Sequence, residues 1–352
     1  MKRFFILFSF LGLLFSCQPI EQGGGNVPQK EPDPVPTAPT LQSIVLDKNT
    51  LNLRIGEAET IKAVLYPAGV TETVKWESTD PNVATVSNGV VTAKGIGQAS
   101  IVARAGSKSA DCPVRVKWPI PKDAVDLGVW GTRENGAKYK VYWRDRNLGA
   151  DTPEGYGDYY AWGEVEPYYE SLEPLVWKKG KEAGYDWPSY KWCKGTFNTF
   201  TKYCAKRADD HWAGDGEPDH KRILDPEDDA AQVLLGNGWA MPLPEELYAL
   251  WTQCDWELAT LNGVSGVYAK SKETGNSNRI FFPFTWLLAG TEVYKEADWG
   301  AIFASAFLDF DFESYGPNCT DAPALNLCGQ VYFPDHRFRC YGHPIRPAFS
   351  DL

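Results

Sequence analysis

The sequence predicts a multidomain chain, an all-β sandwich followed by a loop-rich α+β domain. Three observations predict it. Residues 41–117 alternate apolar and polar side chains over many short segments separated by turn signals, as half-buried strands do. Residues 118–352 are rich in Trp, Tyr and Gly and show helical spacing in only two places. Pro119 and Pro121 mark the change from one composition to the other.

Ahead of both lies a segment with no core of its own. Lys2 and Arg3 precede an apolar run from Phe4 to Phe15. That run is shorter than the ~20 residues a membrane-spanning helix needs and has the length of a secretory apolar region. It ends in Leu14-Phe15-Ser16-Cys17, which resembles a bacterial lipobox, with Phe15 bulkier than usual at its position. The resemblance implies a lipoprotein signal peptide over 1–17, a lipid on Cys17 and a place at the outer membrane, facing the cell surface. Residues 18–40 hold Gly23–Gly25, several prolines and almost no large apolar side chains. Such a segment stays extended and solvated, a linker rather than a domain.

Within 41–117 the alternation runs through Ile44 and Leu46, then Leu51, Leu53 and Ile55, then Ile61, Ala63 and Leu65, then Val74 and Trp76. Val83–Val86 and Val90–Thr92 flank the turn Ser87-Asn88-Gly89. Ala99, Ile101 and Ala103 follow, and Ala110, Cys112, Val114 and Val116 close the set. The expected form is an antiparallel sandwich with Cys112 in its core. The runs Trp76-Glu77-Ser78-Thr79-Asp80-Pro81-Asn82-Val83-Ala84-Thr85-Val86 and Gly89-Val90-Val91-Thr92-Ala93 resemble the group-2 bacterial immunoglobulin-like domain. That family implies a spacer role in surface proteins.

In 118–352, Pro244 to Cys254 reads as a helix: proline at its start, Glu245 and Glu246 in its first turn, and Leu247, Leu250, Trp251 and Cys254 at helical spacing. Asp225–Leu235 is a second candidate helix. Arg279–Pro283 and Ala301–Phe307 read as strands. Trp143-Arg144-Asp145-Arg146-Asn147-Leu148-Gly149-Ala150, Gly157-Asp158-Tyr159-Tyr160-Ala161-Trp162-Gly163-Glu164, Gly238-Trp239-Ala240-Met241-Pro242 and Ile345-Arg346-Pro347 occur in this order. The set resembles the Fibrobacter succinogenes major paralogous domain, with Ala240 where that family usually has arginine. It is similar, more weakly, to the C-type lectin-like fold of formylglycine-generating enzymes. The resemblance implies a compact unit with adjacent termini, and a structural, hydrogen-bonded role for Arg346.

The formal net charge of −11 comes without a clustered basic stripe, which argues against nucleic acid as a partner. The chain has no Cys-x-x-Cys, no Gly-x-Ser-x-Gly and no His-Glu-x-x-His, so the common zinc, redox and hydrolase signatures are missing. Cys319, Cys328 and Cys340 are spaced too widely for the cysteine pair of the generating enzymes. His211 and His220 lie in an acidic loop with Asp209, Asp210, Asp215, Glu217 and Asp219, which reads as solvated more readily than as a calcium site. No catalytic residue, metal site or cofactor is assigned.

The last stretch differs from the rest. From Gly300 to Leu352 there is no Lys, Trp or Met, Glu313 is the only Glu, and Gln330 is the only Gln. Apart from Glu313 and Gln330, the residue types in this stretch are all reachable from codons ending in a pyrimidine. This is the pattern that diversity-generating retroelements leave in C-type lectin-like proteins, and on that resemblance Phe303, Phe307 and others in 301–341 are varied surface positions. The expected contact set is Asp309, Asp311, Tyr315, Tyr332, Asp335, His336, Phe338 and Tyr341, a density of aromatic and adaptable polar groups suited to recognition. The function read from the sequence is a membrane-anchored surface protein that binds an extracellular protein or glycan. The alternatives are a carbohydrate-active or modifying enzyme and a structural subunit of a surface assembly.

Overall fold

The computed structural model describes residues 39–204, 212–294, 302–308, 320–327 and 332–351. The expected signal peptide, Cys17 and most of the expected linker therefore lie outside the described residues, as do Asp309, Asp311 and Tyr315.

The described chain is predominantly β. In its N-terminal part Ser43–Leu46 pairs with Ala63–Tyr66. The strands Leu51–Arg54, Lys108–Lys117, Gly97–Ala105 and Lys75–Ser78 form a second sheet in that order, and Ala58–Thr60, Val90–Ala93 and Ala84–Ser87 a third. Their inward positions, among them Leu51, Leu53, Ile101, Cys112 and Val114, form one buried cluster drawn only from residues 41–116. The sandwich is not wholly antiparallel as expected: Leu51–Arg54 runs parallel to Val114–Lys117. The two strands are joined by the rest of the unit rather than by a hairpin, so their relative direction is free of the hairpin constraint. Asn88 and Gly89 both have positive φ, +49° and +81°, the geometry of a two-residue hairpin turn. A Cβ on Gly89 would lie 2.4 Å from the Ile61 carbonyl oxygen, so only glycine fits there.

Beyond Pro121 the first and last strands share a sheet. Ala124–Thr132, Lys138–Arg144, Ala348–Ser350 and Trp239–Ala240 lie side by side in that order. Helix α1, Ala230–Leu235, is shorter than expected. Asp229 ends the preceding turn and accepts hydrogen bonds from Ala231 N (2.9 Å) and Gln232 N (3.0 Å). It caps the helix at that point, leaving 225–228 as a turn. Helix α2, Pro244–Gln253, buries Leu247 and Leu250 in a cluster with Leu127, Val141, Trp143 and Phe303. No helix among the described residues is long and apolar enough to cross a membrane. Cys254–Leu261 follows α2 directly and forms a hairpin with Val264–Ser271, which pairs in turn with Arg279–Pro283. A further sheet contains Ile302–Ala304, Asp321–Asn326 and Tyr332–Phe338.

Two arginines with no exposed surface hold the loops together. Arg346 donates to Asn147 Oδ1 (2.9 Å), to the Phe281 carbonyl (2.9 Å) and to the Arg144 carbonyl (3.4 Å). Its guanidinium lies over the Phe282 ring at 4.1 Å, and burial pulls its pKa down to about 9. The first and last motifs of this region therefore meet in one hydrogen bond. Arg339 donates to Tyr190 Oη (2.8 Å) and to the Tyr203 and Lys202 carbonyls (both 2.9 Å). The two halves of the chain touch at Asp351, whose carboxylate meets Arg54 at 2.9 Å and Lys117 at 3.2 Å.

Candidate ligand-binding face

Strand Tyr332–Phe338 carries the described members of the expected contact set other than Tyr341. It pairs with Asp321–Asn326 so that His336 faces Pro323 and Phe338 faces Asp321, while Asp335 and Arg337 fall opposite Ala324 and Ala322. Side chains alternate across a strand, so His336 and Phe338 share one face, and Asp335 and Arg337 the other. The Asp335 carboxylate is engaged within the fold: it accepts from Asn326 Nδ2 at 2.9 Å and meets Arg337 at 2.6 Å. Asp335 thus braces the strand behind the face that Phe338 presents.

The turn after the strand brings Tyr341 beside Phe338. Tyr341 N donates to the Phe338 carbonyl at 3.0 Å, and the two rings lie 5.3 Å apart, edge to face. Trp187, from the short 3-10 helix Trp187–Ser189, packs its ring 5.8 Å from Phe338. Below, Trp187 touches Tyr190 and Phe200 at 5.8 and 5.6 Å, and these two rings enclose the Arg339 guanidinium. Arg339 stands between Phe338 and Tyr341 in sequence, so its buried hydrogen bonds fix the turn that carries both rings. Phe338 remains 41% exposed. The result is a patch of mutually packed aromatic rings on a rigid base, the amphipathic, low-entropy surface that recognition sites favour.

The charges at this patch are few. Asp186 caps the 3-10 helix through Trp187 N at 2.7 Å. Partial burial, with the Asp186 carboxylate adding to it, raises the Tyr341 hydroxyl above its ordinary pKa. His343, two residues further along the chain, lies 6.5 Å from the Tyr341 ring. Burial pushes its pKa down to about 3, so it is a neutral ring under the patch at ordinary pH.

Phe303 corrects one expectation. It is fully buried and packs 5.2 Å from Phe282, so it belongs to the core and not to a varied surface. Burial in a sheet of alternating apolar residues gives a composition that looks the same as an exposed aromatic segment. Of the remaining expected contacts, Tyr332 lies on the same strand, but only its backbone is described. Trp187 and Arg339 were not anticipated. Asp186-Trp187-Pro188 is some distance from the C-terminal segment in sequence, and nothing local marks it as part of this face.

Residues 40–114 match the family model of the bacterial Ig-like domain (group 2). Among solved structures, domains 4 and 5 of the S-layer protein SbsC are 27% identical, over 22% of this chain and 53% of that one, with a TM-score of 0.21. A bacterial Ig-like domain-containing GH10 xylanase from termite gut is 23% identical, over 25% of this chain and 22% of that one, with a TM-score of 0.17. SbsC domains 5–6 are 15% identical, over 70% of this chain and 97% of that one, with a TM-score of 0.22. The chain spans about half the length of the first of these structures. No curated protein matches.

Proposed function

We propose that this chain is a surface lipoprotein that binds a protein or glycan without turning it over. Its Ig-like unit acts as a spacer, and residues 118–352 form a C-type lectin-like binding domain anchored to the outer membrane through Cys17. The observation that carries the reading is the packing of Phe338 and Tyr341 against Trp187 on the base fixed by Arg339. The sharing of one sheet by Ala124–Thr132 and Ala348–Ser350 supports adjacent termini of the lectin-like kind. The absence of Lys, Trp and Met after residue 300 supports diversification of this face, with Asp309, Asp311 and Tyr315 extending it.

A ligand screen of the full chain on protein and glycan arrays tests the reading. A ligand whose binding falls in Tyr341→Ala while the unfolding midpoint is kept supports it. Binding that survives Tyr341→Ala and Phe338→Ala alike places the ligand elsewhere and removes the proposal.

A further inference from the structure

The strand Cys254–Leu261 carries an inference that does not depend on the ligand face. It pairs with Val264–Ser271 over all eight of its residues with no register shift. On its other side no described residue pairs with it, so it is the edge of its sheet among the described residues. The turn joining the hairpin is Asn262-Gly263, with φ of +48° and +87°. A two-residue turn of this type is flanked by a hydrogen-bonded pair, here Leu261 and Val264. Hydrogen-bonded pairs then recur at every second position. Leu261, Ala259, Glu257 and Asp255 direct their backbone groups into the hairpin, and Thr260, Leu258 and Trp256 direct theirs outward.

Such an edge is normally blunted by charged side chains, Lys above all, by Pro or by a bulge. This strand, Cys-Asp-Trp-Glu-Leu-Ala-Thr-Leu, has no Lys, Pro or bulge, and its two charges, Asp255 and Glu257, alternate to the face opposite Leu258. Leu258 is 74% exposed, more than any other large apolar side chain described. By alternation it lies on the side of the sheet where Trp256 packs against Phe282 at 5.6 Å and where its cross-strand partner Val267 is buried. Leu258 thus occupies a core-facing position that this chain's described core does not reach.

We propose that this edge is a twofold self-association surface, joining two copies of the chain by antiparallel pairing centred on Leu258. The register follows from the outward groups alone. With the axis at Leu258, residue 258 faces 258 of the second copy, and 256 faces 260. These are the residues whose outward backbone donors and acceptors pair with no other described residue. The same axis brings the two exposed leucines directly opposite each other, where each covers the other. Asp255 then faces Leu261 and Glu257 faces Ala259, so no two carboxylates are placed directly opposite, and Glu257 already carries Lys270 at 2.6 Å. A pairing in which one patch meets itself closes at two copies and leaves no further edge of this strand.

Sedimentation velocity on the full chain over a concentration series, with hydrogen–deuterium exchange at both ends of the series, tests the proposal. The expected result is a concentration-dependent dimer, with the amides of Trp256, Leu258 and Thr260 gaining protection as it forms. Leu258→Pro removes an outward N–H that the hairpin does not use, a position where an edge strand tolerates proline. Leu258→Asp keeps the backbone and places charge at the axis. Both should abolish the dimer at concentrations where the unaltered chain is dimeric, with the far-UV circular dichroism of the monomer unchanged. A chain that stays monomeric throughout the series overturns the proposal, and so does a dimer that persists in Leu258→Asp.

Discussion

Replacing Glu246 by Gln isolates one buried carboxyl whose charge the fold disfavours. Glu246 is the third residue of helix α2 and is almost fully buried. It accepts from Leu243 N at 2.9 Å and from the Ser350 hydroxyl. Burial is the largest influence on it and pushes its pKa from an ordinary 4.5 up to about 7. The folded state therefore holds this proton more tightly than the unfolded chain. The stability it brings is complete below about pH 4.5 and is lost as pH rises through about 7. A carboxyl pKa raised from 4.5 to about 7 corresponds to roughly 3 kcal/mol, most of which falls between pH 4 and pH 8. Gln has nearly the same shape, can accept from Leu243 N, and does not titrate. The stability of Glu246→Gln relative to the unaltered chain should thus rise by about 3 kcal/mol between pH 4 and pH 8. Urea unfolding at several pH values, followed by tryptophan fluorescence, measures it. The difference between the two proteins is the quantity to compare. His343, with its pKa pushed down to about 3, loses stability in the opposite direction, as pH falls from about 6.5. A difference that stays constant from pH 4 to pH 8 would refute the reasoning.

Arg346→Ala should destabilise the chain by roughly 3–5 kcal/mol, because it strands Asn147 Oδ1 and the Phe281 carbonyl and empties the space over Phe282; thermal unfolding of the variant checks it. Gly89→Ala should cost more than about 1 kcal/mol, since φ is positive there and the new Cβ meets the Ile61 carbonyl; its unfolding midpoint in urea should drop. Cys17→Ser should release the protein from the membrane fraction or block its maturation, and unchanged attachment on fractionation would count against the anchor.

The sandwich was legible because its cue is local: period-2 alternation from Ile44 to Val116 names the inward residues, and Asn88-Gly89 names a turn. Helix α2 was legible for the same reason, through Pro244, Glu245 and the spacing of Leu247 and Leu250. The end of α1 nearest Asp225 was misplaced because the acidic run offers several caps, and only tertiary contacts select among them. Asp229 caps α1 and also accepts from Met241 N, whereas Asp228 turns to Lys202 and Tyr203. The candidate face was half legible. Phe338 and Tyr341 stand out by composition, but Phe303 shares that composition and is core. Trp187 and Arg339 join the face through contacts between distant parts of the chain, and single-sequence periodicity carries no trace of such contacts.

The proposed function requires Phe338 to present a binding surface and not a packing defect. The measurement that tests it is a binding titration of an array-selected ligand to the full chain, to Phe338→Ala and to Tyr66→Ala. Tyr66 is a comparably exposed aromatic residue on the N-terminal sandwich and serves as the control. Truncation of an aromatic anchor commonly costs 2 kcal/mol or more. Affinity should weaken by about thirtyfold in Phe338→Ala, with no change in Tyr66→Ala and equal unfolding midpoints for all three. Equal affinity of Phe338→Ala and the unaltered chain would contradict it.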